Sequence, residues 1–144
     1  SACDNDDDYT PPNQDIITAL KQLYPDVQDI EWSQKGVYYV ADCWVNGSEL
    51  DVWFDANANW IMTEMEIFRE QLPAAVNTAY EESGYGDWVI DNLTKLTFPH
   101  KSEEFVFEVQ SGAQERALYY SAYGGLLLEK DITDADDTHW PDVE

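Results

Sequence analysis

Only two histidines, His100 and His139, are present among 144 residues. His100 follows Pro99 in a loop-like stretch, and His139 sits in an acidic C-terminal run. A hydrolytic triad or a zinc centre needs an imidazole brought to a nucleophile or to further ligands. Neither is expected from two such isolated residues. The chain also lacks G-x-S-x-G, P-loop, H-E-x-x-H and C-x-x-C patterns. Carboxylates are plentiful, with 30 Asp and Glu. The pairs Glu64/Glu66 and Asp51/Asp55 have the residue types for acid–base work, but among thirty acids such pairs arise by chance. The oxygen-rich runs Asp134-Ala135-Asp136-Asp137 and Asp4-Asn5-Asp6-Asp7-Asp8 lack the glycine and distal glutamate that shape a calcium loop. These residues imply no catalytic site, no metal site and no cofactor. An enzyme with unfamiliar carboxylate chemistry stays open as an alternative.

Aromatic residues on strands are the more informative feature. Asp15 to Tyr24 carries Ile16, Leu20, Leu23 and Tyr24 at helical spacing, with Asn13 or Asp15 to cap the start and Pro25 to end it. Strand patterns follow at Val27 to Ser33 and Val37 to Val45. Asn46-Gly47 then marks a two-residue hairpin. Glu49 to Asp55 is the returning strand, and after a turn Trp60 to Ile67 is a fourth. The order then recurs: a helix pattern at Leu72 to Tyr80, then strands at Trp88 to Phe98, Glu104 to Gln110, Glu115 to Ala122 and Leu126 to Ile132. Glu49 to Ile67 overlies Glu115 to Ile132 at an offset of 66 residues, with a small slip at the end. The expected organisation is therefore a tether over 1–13, a first α+β repeat over 14–71, a second over 72–132 and an acidic tail over 133–144. Within that tail Trp140-Pro141 is the part expected to dock back on the body.

Alternation sorts the strand residues into two faces. Tyr39, Ala41 and Cys43, with Leu50, Val52 and Phe54, should face the helices, as should Phe105, Phe107 and Val109. The other face should carry Tyr38, Val40, Asp42 and Trp44, then Asp51, Trp53 and Asp55, and in the second copy Val106, Glu108, Ala117, Tyr119 and Ser121. If helices cover one face only, Trp44, Trp53 and Tyr119 stand open to solvent among acids, as interface anchors do. The competing account is that a twisted sheet carries aromatics for β-propensity and cross-strand pairing.

Charge narrows the partners. Seven Lys and Arg against the acids give a net charge of -23, a field that repels phosphate backbones and anionic membranes. No nucleic acid is expected, and a membrane only through a lipid anchor. A 14% aromatic share argues against a disordered chain. Of the two cysteines, Cys43 lies in an apolar strand and reads as a small core residue, while Cys3 lies in a polar terminus. Ser1-Ala2-Cys3 ahead of the acidic run resembles the end of a bacterial lipobox, in which the cysteine is lipidated. An ordinary acidic terminus is the alternative.

The helix Asp15 to Tyr24, and Glu49-Leu50-Asp51-Val52-Trp53-Phe54-Asp55 running into Asn57, Asn59 and Trp60, resemble the PepSY-like family of secreted bacterial proteins. Leu118-Tyr119-Tyr120-Ser121 into Gly124-Gly125 shows the pattern a second time. The resemblance implies a β-lactamase-inhibitor-protein-like α+β fold. Two tandem helix-plus-four-antiparallel-strand units would form one continuous sheet with both helices packed on one face. It does not imply inhibition of a β-lactamase, because no inhibitory loop is matched residue by residue. The expected function is a non-catalytic, secreted cell-envelope module, binding or inhibitor-like. It would use Tyr38, Trp44, Asp51, Trp53 and Tyr119 on the open sheet face to take a protein or glycan, with Cys3 as lipid anchor in the periplasm or on the outer membrane. A purely structural surface lipoprotein is the remaining alternative.

Overall fold

The computed structural model describes residues 11–135 and 139–141. Two helices and one eight-stranded antiparallel sheet make an α+β fold, with the strands in chain order, β1 to β8. Contacts divide the chain into two compact units, Ser1–Glu64 and Met65–Glu144.

In the first unit α1 spans Gln14–Leu23, followed by β1 (Gln28–Lys35), β2 (Tyr38–Val45), β3 (Ser48–Phe54) and the start of β4 (Trp60–Glu66). Asn13 caps α1: its side-chain oxygen accepts the Ile16 N–H at 3.0 Å. Tyr24 leaves helical geometry ahead of Pro25, which disfavours helix in the residue before it. Ile16 and Leu20 are fully buried, and so are Ala41, Cys43, Val52 and Phe54. Beyond the helix, the Tyr24 hydroxyl meets Thr63 Oγ1 at 2.9 Å, tying the end of α1 to β4.

The β2–β3 hairpin closes where sequence places it. Val45 pairs with Ser48, and Asn46 and Gly47 both have positive φ, as a tight hairpin turn requires. After β3, Asp55 holds the next turn. One of its carboxylate oxygens accepts the N–H groups of Asn57 and Asn59, each at 2.9 Å, and the other accepts the Asn59 side-chain amide at 3.1 Å.

The second unit takes the end of β4, then α2 (Ala74–Glu82), β5 (Val89–Thr97), β6 (Glu104–Ser111), β7 (Gln114–Ser121) and β8 (Leu126–Asp131). The helix begins two residues later than its apolar pattern suggests, because Pro73 serves as N-cap and a 3-10 turn, Arg69–Gln71, precedes it. Val76 and Tyr80 of α2 pack into one core with Leu93, Phe105, Phe107, Val109, Leu118 and Tyr120. The Tyr80 and Phe107 rings stack at 4.2 Å. This face of β6 and β7 is the one alternation assigned to the helix.

The opposite face of the second unit is not open. Val106, Glu108, Ala117 and Tyr119 are buried as well. His139 covers Glu108 and Tyr119. Sequence reading placed His139 in a solvated tail, yet it is only 5% exposed and lies against Tyr119. A tyrosine hydroxyl and a carboxylate on a strand face need partners once buried; the imidazole hydrogen-bonds the Tyr119 hydroxyl and lies within ion-pair distance of Glu108.

Candidate functional site

The face of β1, β2 and β3 that carries Trp44 assembles an unusual row. Register places Asp42 opposite Glu31 on one side and opposite Asp51 on the other. Three carboxylates therefore stand side by side on adjacent strands, an arrangement that like-charge repulsion disfavours. Burial raises the Asp51 pKa above the ordinary carboxylate value; the Asp42 charge raises it further, while Lys35 opposes the shift. One row away, Trp44 pairs with Gln28 and Glu49. It is 42% exposed, a large apolar surface left in water. Asp29, Ile30, Glu31, Asp42, Trp44 and Glu49 line a shallow depression of about 500 Å3. Asp29 enters it at a bulge of β1, where its φ is positive. The bulge turns an extra acid toward the depression.

The other expected site residues divide. Asp51 belongs to this carboxylate row. Trp53 lies on the same face, opposite Val40, but it is fully buried rather than open. Tyr38 packs its ring edge against it at 5.6 Å, and its indole N–H donates to Glu64 at 2.8 Å. Trp53 thus supports the face from beneath. Tyr119 is 1% exposed, in the second unit, under His139. Cys3 lies outside the described residues, as do Asp136, Asp137, Asp142 and Glu144 of the acidic tail. Glu31, Asp29 and Glu49 escaped sequence reading, because only strand register reveals which acids become neighbours. Among the described residues, no group of three or more His, Cys, Asp or Glu is arranged to hold a metal ion.

Chemically, the site offers negative charge and one exposed indole. It suits a cation placed over the Trp44 ring and beside carboxylates.

Residues 37–128 match the family described as "Putative beta-lactamase-inhibitor-like, PepSY-like". This chain belongs to the PepSY-like family. Its fold is similar to that of a BLIP-like protein from Bacteroides fragilis NCTC 9343, with 55% identity, a TM-score of 0.90, and coverage of 97% of this chain and 100% of that one. It is also similar to a "putative periplasmic" protein from Bacteroides eggerthii DSM 20697, at 30% identity and a TM-score of 0.85, over 89% and 94% of the two chains. A DUF2874 family protein from Bacteroides ovatus ATCC 8483 matches at 29% identity and a TM-score of 0.84, over 89% and 93%. No curated protein matches the chain. The PepSY-like resemblance drawn from the helix and the Phe54-Asp55 turn is thus shown, and the Asp55 hydrogen bonds explain why that motif is structural.

Proposed function

We propose that this PepSY-like protein is a non-catalytic binding module of the bacterial envelope, and that the Trp44 face of its first unit takes a basic segment of a partner protein. In this reading two tandem helix-plus-four-strand units form the sheet, both helices lie on one face, and the opposite face meets the partner. One observation carries the proposal: Trp44 stands 42% exposed beside the Glu31–Asp42–Asp51 row. A cationic side chain relieves that like-charge crowding and stacks on the indole in one step, which a neutral glycan cannot do. The names of two similar structures, a BLIP-like protein and a "putative periplasmic" protein, support an extracytoplasmic, inhibitor-like role. Cys3 would anchor the chain to the envelope, and Cys3→Ser in the precursor should move it from the membrane to the soluble fraction.

The enzymatic alternative draws on one feature, the raised pKa of Asp51 opposite Asp42. An acid–base pair works best in a cleft that encloses its substrate. This pair lies on a strand face beside a shallow depression, which favours binding over turnover.

The test is a titration of the full chain with an oligolysine peptide, followed by tryptophan fluorescence. Trp44→Ala and Asp42→Asn should each weaken binding at least tenfold, whereas Glu82→Gln, an exposed acid on α2, should leave it unchanged apart from a small screening effect. Equal weakening by all three would mean that net charge alone attracts the peptide, and the site assignment would fall.

A further inference from the structure

The second unit carries an acid and an aromatic at the positions equivalent to Asp42 and the buried Trp53, with a further side chain seated on them. At the 66-residue offset Asp42 corresponds to Glu108, Val40 to Val106 and Trp53 to Tyr119. Register confirms the equivalence, since Val40 pairs with Trp53 and Val106 with Tyr119. On this second face the His139 side chain is enclosed. Its Nδ1 lies 3.0 Å from the Tyr119 hydroxyl and its Nε2 lies 2.8 Å from a Glu108 carboxylate oxygen. The ring meets the Tyr119 ring edge-on, at 5.8 Å and 87°. Glu108 is 7% exposed and Tyr119 1%.

The seat sets a hydroxyl at one ring nitrogen and a carboxylate within ion-pair distance of the other, on opposite sides of a flat five-membered ring. Lysine would reach one of them. Phenylalanine would reach neither and leave a carboxylate buried without a partner. Described neighbours on β5 and β8 flank this space. Asn92 of β5 pairs opposite Glu108, Lys130 of β8 pairs opposite Ala117, and the Lys130 ammonium sits 5.1 Å from the centre of the Tyr119 ring.

We propose that the site between Glu108 and Tyr119 is an imidazole-binding seat on the sheet, and that His139 occupies it in cis as a releasable strap. While His139 is seated, the second unit's acid–aromatic face is closed to partners. When it leaves, Glu108 and Tyr119 become available to the same kind of basic segment that the first unit takes. The release part rests on the binding role proposed for the Trp44 face; the seat itself does not.

The experiment uses the full chain carrying His139→Ala. Its melting temperature should fall, and millimolar imidazole should restore it saturably while leaving the wild type unmoved, because a ligand stabilises only the state with a vacant site. Amide exchange at His139 and Trp140 should quicken in the variant. Imidazole that shifts both proteins equally, or neither, overturns the seat. Should His139→Ala fold poorly, His139→Gln gives the same comparison with a polar side chain retained. For release, His139→Ala should bind an additional equivalent of oligolysine, and that equivalent should vanish in His139→Ala/Glu108→Gln. Unchanged stoichiometry overturns the strap function even where the imidazole result holds. If Trp44→Ala alone has no effect on oligolysine binding, the first unit's proposed role fails separately.

Discussion

The Trp53 indole N–H donates to Glu64 at 2.8 Å, while the neighbouring residue, Phe54, points to the other face and is equally buried. Two adjacent aromatics on one strand thus fill two separate interiors. Trp53→Ala and Phe54→Ala should each cost about 3–5 kcal/mol, the range for removing a large buried ring. Trp53→Phe should cost less, because the ring volume mostly remains and only the indole hydrogen bond is lost. Denaturant unfolding of the three variants checks this. A Trp53→Ala loss well under that of Phe54→Ala would mean that Trp53 is open after all.

Asp51 gives a pH signature. Its pKa is raised in the folded protein, first by burial and then by Asp42. A carboxyl with a raised folded pKa binds its proton more tightly when folded. Ionised Asp51 therefore costs stability above the folded pKa, and this cost disappears below the unfolded value of about 3.9. Asp51→Asn should raise the melting temperature at pH 7, and the gain should shrink toward zero as pH falls below about 4. Melts over that range decide the matter. A gain that grows on acidification would contradict it.

Cys43 is fully buried, and burial, with the Asp42 and Asp51 charges, pushes its thiol up to about 11. Thiolate is the reactive form, so both access and ionisation are against reaction. In a Cys3→Ser background the folded protein should consume almost no thiol reagent at pH 8, and one equivalent after denaturation. Rapid labelling of the native protein would show that β2 opens far more readily than its packing implies.

Much of this architecture could be read from residues alone, and the failures have identifiable causes. Helical spacing at Ile16 and Leu20, Asn46-Gly47 at a hairpin, and alternation along Phe105, Phe107 and Val109 are local signals, and each is reproduced by the fold. Alternation also assigned Trp44, Asp51 and Trp53 to one face correctly. Exposure is different, because it depends on what covers a face. Trp53 is shielded by Tyr38 and bound by Glu64, and Tyr119 is covered by a histidine 20 residues further on. His139-Trp140-Pro141 in an otherwise acidic tail was the available signal, two ring systems and a proline where solvated runs have little use for them. The Glu31–Asp42–Asp51 row needed strand register, which a bulge at Gln28 to Glu31 makes unreadable from spacing.

Asp55 should titrate in the opposite sense to Asp51. Burial acts to raise its pKa, but the N–H groups of Asn59 and Asn57 and the Asn59 side chain all donate to the ionised carboxylate, and the net effect is a lowered pKa. A depressed folded pKa means that Asp55 contributes stability above the unfolded value of about 3.9, and this contribution is lost as pH falls through the folded pKa. Asp55→Asn keeps the side-chain shape but replaces one acceptor oxygen with a donor, so it cannot serve all three N–H groups. The variant should be less stable at pH 7, by about 1 kcal/mol for each hydrogen bond lost. Its deficit should narrow in acid, just where the Asp51→Asn gain also fades. The second unit supplies an internal control. At the equivalent position, Ser121 accepts the Gly125 N–H at 3.1 Å through an uncharged hydroxyl. Ser121→Ala should therefore cost stability with no dependence on pH between 3 and 7 of its own. Parallel pH melts of the three variants would separate the two turns. A Ser121→Ala deficit that follows the same pH curve as Asp55→Asn would show that global charge, rather than the Asp55 carboxylate, sets the acid sensitivity.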